Sequence, residues 1–298
     1  MAEPAGSGRI SGGLYAICIT PFASDETIDM AAFDTITAHQ VEHGVRAFIP
    51  GGHTSEFYSL NRSEWEATVR AVINTCQGGA RIIPGVGHDL DTATEMAVLA
   101  EKLGADGVMV HQPPHPFMSS QGYHHYLKSI AERIGIGMFP YIRSAAIDDD
   151  TVIKIAESGF VAGIKYANPD LPRFAALVSR SDQCEWICGL AEMWAPFFFT
   201  AGATAFTSGI TSVHPSASVH MLEALVANRH DDVRAALDLF RPFEEMRAEK
   251  QNANNVSVVK EALFQLKRCA RDVRPPLATL DAAEQERVGD ILRRWGLT

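Results

Sequence analysis

Short apolar runs alternate with longer amphipathic stretches through the first two thirds of the chain. The runs cover residues 14–20, 47–50, 81–86, 107–110, 134–139, 161–164, 185–188 and 203–207, and each reads as a buried strand. Between them apolar residues recur at spacings of three and four, as over 63–76, 93–103 and 151–156, the period of a helix packed on one face. Asn61-Arg-Ser-Glu64 and Asp281-Ala-Ala-Glu284 each pair a helix-capping side chain with an acid three residues on, which marks two helix starts. Eight strand candidates in alternation with helices predict an α/β chain of the (β/α)8 TIM-barrel type over residues 1–214 rather than an open doubly wound sheet. From Pro215 onward only helical periodicity remains, over 216–227, 231–249, 256–269 and 281–295. Residues 215–298 therefore read as a C-terminal helical extension that closes the barrel and contributes to an oligomer interface.

At 298 residues and 46% hydrophobic, the chain can bury a large core. The net charge of -10 comes with no basic block, which argues against nucleic acid or an acidic membrane surface as partner. An anionic substrate must then be held by local cations or backbone amides. No run reaches the length of a membrane span, and Met1-Ala-Glu-Pro-Ala-Gly-Ser-Gly has neither the basic nor the apolar segment of a secretory leader, so a cytoplasmic protein is expected. The five cysteines are odd in number and scattered, which reads as reduced thiols.

Two runs end in chemistry. Met138-Phe-Pro-Tyr141 ends in a phenol, and Val161-Ala-Gly-Ile-Lys165 ends in an amine with no other charge before it. A lysine at the end of a buried strand is either paired or loses its proton, and a neutral amine is a nucleophile toward a keto group. Tyr141 can shuttle the protons that such an attack requires. Arg143 shares the strand face of Tyr141 if the strand continues, and would then grip a substrate carboxylate; the alternative is an ion pair with one of Asp148 to Asp150. The turn Gly51-Gly-His-Thr-Ser-Glu56 offers close backbone approach at Gly52 and the hydroxyls of Thr54 and Ser55 as a carboxylate nest. It is not a Walker loop, and no Rossmann fingerprint appears. His111, His115, His124 and His125 show no metal-ligand spacing and are expected to line a loop over the barrel mouth, so no metal is expected.

Read together, these residues resemble the dihydrodipicolinate synthase and N-acetylneuraminate lyase family of Schiff-base barrels. Thr20-Pro-Phe22 ends the first strand as in that family, Gly52-His-Thr-Ser-Glu56 matches its G-T-T-G-E turn at Gly52, Thr54 and Glu56, Tyr141 matches its proton-shuttling tyrosine, and Gly163-Ile-Lys165 its imine-forming lysine. Tyr141-Ile-Arg143 and Glu56-Phe-Tyr-Ser-Leu60 are similar to the signatures of a 5-dehydro-4-deoxyglucarate dehydratase subgroup. Three departures set the chain apart from the synthases: His53 stands where they have a threonine, Ala146 where they have an arginine, and a relay tyrosine near His115 is missing.

The resemblance implies Lys165 and Tyr141 as catalytic residues, and Gly52, His53, Thr54, Ser55, Arg143 and Ser208 as the residues that bind substrate. It implies a lyase that dehydrates a 2-keto-3-deoxy sugar acid without a cofactor, working as a homotetramer. The alternatives are a pyruvate-dependent aldolase or retro-aldolase, and a non-catalytic keto-acid-binding barrel. If His53 takes part in proton relay, turnover should carry a pH limb near the ordinary histidine value of about 6.5.

Overall fold

The computed structural model describes residues 13–298, so the N-terminal octapeptide read above lies outside the described residues. All eight apolar runs form strand: β1 (Leu14–Ile17), β2 (Ala47–Ile49), β3 (Arg81–Ile82), β4 (Gly85–Val86), β5 (Gly107–His111), β6 (Gly137–Ile142), β7 (Gly163–Tyr166), β8 (Glu185–Cys188) and β9 (Ala205–Ser208). Every pairing is parallel, in the order β3-β2-β1-β9-β8-β7-β6-β5-β4. The two ends of this order, β3 and β4, are halves of one run, split at Pro84, which has no amide hydrogen to give. Hydrogen bonds carry the run across the split. On one side Ile83 N–H donates to Phe48 C=O at 2.9 Å and Gly85 N–H to Pro50 C=O at 2.8 Å; on the other, Asp106 N–H donates to Ile82 C=O and Met109 N–H to Pro84 C=O, both at 2.9 Å. The barrel therefore closes.

A helix follows each member of the ring: α1 (Met30–Glu42), α2 (Arg62–Cys76), α3 (Leu90–Leu103), α4 (Ser120–Ala131), α5 (Asp149–Ala156), α6 (Leu171–Arg180), α7 (Ala195–Thr200) and α8 (Pro215–Val226). Both capping boxes form: Asn61 accepts from Glu64 N–H ahead of α2, and Asp281 from Glu284 N–H ahead of α11 (Ala282–Arg294). Helix α8 touches β1 and supplies the eighth helix of the ring. Helices α9 (His230–Asn252), α10 (Asn255–Gln265) and α11 pack on one another beyond it. All five cysteines are free thiols. Among the described residues no helix is long and apolar enough to cross a membrane.

The period-two alternation of the strands sorts side chains into two cores. Tyr15, Ile17, Ile49, Met109, Phe139 and Ile187 fill the barrel. Their neighbours in sequence, such as Ala16, Phe48, Val108, Val110, Met138 and Ile164, face the helices. At the base of the barrel the Tyr15 hydroxyl donates to Glu185, and Arg81 Nη1 donates to the Tyr15 oxygen at 3.2 Å, which leaves the second Glu185 oxygen buried without a partner. Register then sets the mouth: His111 pairs with Tyr141 and Tyr141 with Lys165 on successive strands, which brings all three to one level.

The extension is fastened to the turn after β2 by a fully buried ion pair. Lys260 Nζ on α10 lies 2.5 Å from Glu56 Oε1, with both side chains at 0% exposure. Lys260 also donates to Asp272 C=O at 2.6 Å, and Arg274 N–H donates to the second Glu56 oxygen at 2.9 Å. Removing one partner leaves a buried charge alone, so Lys260→Met is expected to cost about 3 to 5 kcal/mol, whereas Glu56→Gln combined with Lys260→Met recovers most of the loss. Urea unfolding of the two variants measures the difference. Equal losses would mean that the pair does not act as a charge pair.

Candidate active site

The C-terminal ends of the strands open into a cavity of about 670 Å³ lined by both the barrel and the extension. Lys165 enters it from β7 with 4% of its surface exposed. Its Nζ sits 4.0 Å from the centre of the Tyr141 ring, and among the described residues no carboxylate pairs with it. Burial pulls this amine down from its ordinary value to about 7, with the Arg143 charge pushing the same way. Gly189, just past β8, makes room for the lysine stem: a Cβ there would stand 3.0 Å from Lys165 Cγ and 2.8 Å from Ala167 Cβ. Tyr141 is held above its usual range by burial, so it remains a protonated phenol beside the amine.

Arg143 lies just past the end of β6 rather than on it. Gln112 Oε1 accepts from the amides of Arg143 and Ser144 at 2.9 and 3.1 Å, and so fixes the loop from which the guanidinium reaches the cavity. Asp149 and Asp150 are engaged by Arg173 and Arg180, and Asp148 caps α5. The alternative ion pair for Arg143 does not form. Its guanidinium instead lies 5.8 Å from the Tyr141 ring centre and 3.5 Å from His53 Nδ1.

The turn after β2 forms a single 3-10 turn, His53–Ser55. Gly52 is obligatory by contact, because a Cβ would stand 2.6 Å from Ile17 Cγ2. The first bond inside the turn runs from Ser55 N–H to Gly52 C=O, so the amides of His53 and Thr54 precede it. His53 and Thr54 line the cavity, while Gly52, Ser55 and Ser208 do not. The Ser55 hydroxyl accepts from Gly52 N–H at 3.0 Å, and its carbonyl accepts from Thr20. The Ser208 hydroxyl donates to buried Glu192 and accepts from Thr211 N–H at 3.1 Å. Both serines hold the wall of the cavity from behind. Period and spacing could not show which way such hydroxyls turn.

The histidines also depart from expectation. His53 is driven far below its ordinary range, by burial first and then by His111, Lys165 and Arg143, which favours the neutral ring and argues against a limb near 6.5 from this residue. Its ring stacks on His111 at 4.5 Å, and His111 Nε2 meets Gly51 C=O at 2.8 Å. His111 is the last residue of β5 and His124 and His125 lie on α4, so of the four histidines expected on a loop His115 alone lies in one, between β5 and α4. Among the described residues the side chains of His39, Glu42 and His43 bring their ligand atoms within 4.8 Å of one another at the C-terminal end of α1, a His-x-x-Glu-His spacing that the motifs considered above do not include. None of the three lines the cavity.

Sequence reasoning missed the contribution of the extension. Arg247, 3% exposed, donates to Asn255 C=O at 3.1 Å and Asn255 Oδ1 at 3.0 Å, pairs with Glu244, and borders the cavity. Thr54 Oγ1 reaches the same Asn255 oxygen at 3.4 Å. Beyond Arg247, α9 leaves helical geometry: Lys250, Gln251 and Asn252 have φ of 53°, 59° and 68°. Three successive non-glycine residues in left-handed backbone cost roughly 1 kcal/mol or more each. Gln251, Asn252 and Ala253 thereby line the cavity. No glycine or proline marks the spot in sequence.

The model of the dihydrodipicolinate synthetase family matches residues 10–295, so the chain belongs to that family, whose members are lyases. A probable 5-dehydro-4-deoxyglucarate dehydratase of Saccharopolyspora erythraea is 28% identical over 296 residues, 97% of this chain and 96% of that protein. A 4-hydroxy-tetrahydrodipicolinate synthase of Anaeromyxobacter dehalogenans is 30% identical over 296 residues, 97% of this chain and 98% of that protein. The crystal structure of a dihydrodipicolinate synthase from Bacillus clausii superposes with a TM-score of 0.93 at 37% identity, covering 95% of this chain and 97% of that one.

The displaced ionisation of Lys165 is measurable without any substrate. Competitive labelling with trace acetic anhydride, read by peptide mass spectrometry, should titrate Lys165 with a midpoint near 7, well below the ordinary lysine value of about 10.4. Reactivity rises through that midpoint because only the neutral amine attacks. Arg143→Gln should move the midpoint upward by less than the burial effect, since burial is the larger cause. A Lys165 midpoint at the ordinary value would show the amine to be solvated.

Proposed function

We propose that this member of the dihydrodipicolinate synthetase family is a Schiff-base hydro-lyase for a 2-keto-3-deoxy sugar acid of the 5-dehydro-4-deoxyglucarate type. The observation that carries the reading is an unpaired, buried amine with its pKa near 7, set against a phenol and beside a free guanidinium in one cavity. Neutral Lys165 adds to the keto carbon, and loss of one water gives a protonated imine. Tyr141 passes the protons of that step. The imine acidifies the neighbouring CH2; its proton leaves, the electron pair enters the imine, and the enamine expels hydroxide from the next carbon as water. Hydrolysis of the remaining imine returns the amine. The protonated imine is the electron sink, so the reading needs no cofactor.

Backbone amides at His53 and Thr54, with the Thr54 hydroxyl, are suited to the carboxylate beside the keto group, and Arg143 to the distal one. Neutral His53 then serves as a hydrogen-bonding wall for Arg143 rather than as an acid. The dehydratase and synthase relatives are about equally distant, so the choice between them rests on the site. Ala146 is exposed and carries no cation, while Arg143 reaches the cavity two residues after Tyr141. The likeness to the Bacillus clausii synthase favours a second reading, aldol cleavage or condensation on the same imine. Release of pyruvate and an aldehyde from the sugar acid, in place of water loss, would establish that second reading. For assembly and location, the family resemblance supports a cytoplasmic homotetramer, which sedimentation velocity tests.

Two outcomes check the chemistry. Borohydride added with pyruvate should leave a reduced adduct on Lys165, and Lys165→Ala should abolish it; an adduct at full yield in that variant would sink the mechanism. Arg143→Lys keeps the charge and loses the fork, so Arg143→Lys and Arg143→Ala should each lower kcat/KM for the dicarboxylic substrate at least tenfold, about 2 kcal/mol, relative to a monocarboxylic one. If neither alters that ratio, Arg143 does not read the distal carboxylate.

A further inference from the structure

We propose that the left-handed turn at residues 249–252 is a substrate subsite, in which the carboxamides of Gln251 and Asn252 read the hydroxyls of the sugar acid, the one that leaves and the one beyond it. The proposal rests on the imine reading for the keto end. It starts from the uneven polarity of the cavity. Lys165, Tyr141 and Arg143 are suited to the keto and carboxylate groups; the loop after β8 offers Leu190, Ala191, Met193 and Trp194, poor partners for a hydroxyl, while on the extension side Arg247 is bonded to Glu244 and Asn255 and Glu245 carries a carboxyl. A polyol needs groups that both donate and accept. Carboxamides do both.

The turn is built to hold them there. Glu284, on the first turn of α11, pairs with Lys250 Nζ at 2.6 Å and accepts from Asn254 Nδ2 at 2.8 Å. Arg287 grips Glu249 through two bonds of 2.7 and 3.0 Å. These contacts bracket Gln251 and Asn252 on both sides, while neither side chain bonds another of the described residues. Backbone that L residues adopt reluctantly is thus pinned by the last helix, and the two residues whose carboxamides are left over both line the cavity.

Glycine takes left-handed backbone freely, so the double variant Gln251→Gly, Asn252→Gly removes the carboxamides without disturbing the turn. The readout is the ratio of kcat/KM for 5-dehydro-4-deoxyglucarate to that for 4-hydroxy-2-oxobutanoate, which undergoes the same elimination but has no distal groups. In the double variant the ratio should fall at least tenfold, mostly through KM for the longer acid, with the melting temperature unchanged or raised. An unchanged ratio, or one that falls only together with the melting temperature, overturns the subsite. Wild-type protein that forms no borohydride adduct at Lys165 overturns the imine reading and the subsite with it, whereas an adduct with an unchanged ratio overturns the subsite alone.

Discussion

The amine of Lys165 is buried without an anion beside it, and much of the surrounding architecture keeps it so. Acids are not scarce in a chain of net charge -10, and several are buried in or around the barrel. Each is engaged elsewhere: Glu56 by Lys260, Glu185 by Tyr15, Glu192 by Ser208 and Ser218, and Glu244 by Arg247. A carboxylate against Lys165 would hold it protonated and deny it the role of nucleophile proposed for it. At this end of the cavity Arg143 is a cation without a carboxylate partner, while Glu244 and Glu245 line the far side, so an anion that enters beside Lys165 meets an unpaired guanidinium. Local charge thus outweighs the sign of the whole molecule.

The same requirement explains why the extension is locked so firmly to the turn after β2. Glu56 sits three residues from His53, in left-handed backbone at φ 59°, and its carboxylate is pulled away from the mouth by Lys260 and the Arg274 amide. From the other side Arg247 and Thr54 share Asn255. The turn that carries the candidate carboxylate nest is therefore fixed from the barrel at Gly52 and from the extension at two further points. Its geometry is a property of the whole chain.

How much of this was legible in sequence depended on whether a feature is written in period or in orientation. The eight strands, both capping boxes and the alignment of Tyr141 with Lys165 follow from apolar period and from where each run ends, and they are found where those patterns lie. Even the split strand was visible as one run, because Pro84 interrupts an amide and not the hydrophobic pattern. Orientation is another matter. Ser55 and Ser208 lie at the expected positions in the chain and turn their hydroxyls into the wall, a choice made by Gly52 N–H and Glu192. The ionisation of His53 depends on burial and on three neighbours that sequence distance does not reveal. The left-handed turn at residues 250–252 was invisible because nothing local demands it: the helical pattern runs straight into it, and the groups that impose it, Glu284 and Arg287, lie more than one helix away.

This division of labour has a chemical consequence. The groups suited to imine formation come from barrel strands whose register is set by many parallel hydrogen bonds and by a packed interior, so they are hard to move. The groups at the far side of the cavity come from a loop after β8 and from the junction of α9 and α10, where side chains can change without disturbing the barrel. A fold organised in this way can keep one electrophile-forming step while exchanging what it accepts. That separation fits relatives of about equal distance whose names describe a dehydratase and a synthase. Identity over the whole chain weighs mostly the barrel, whereas the substrate contacts proposed for this chain are a few side chains at its rim.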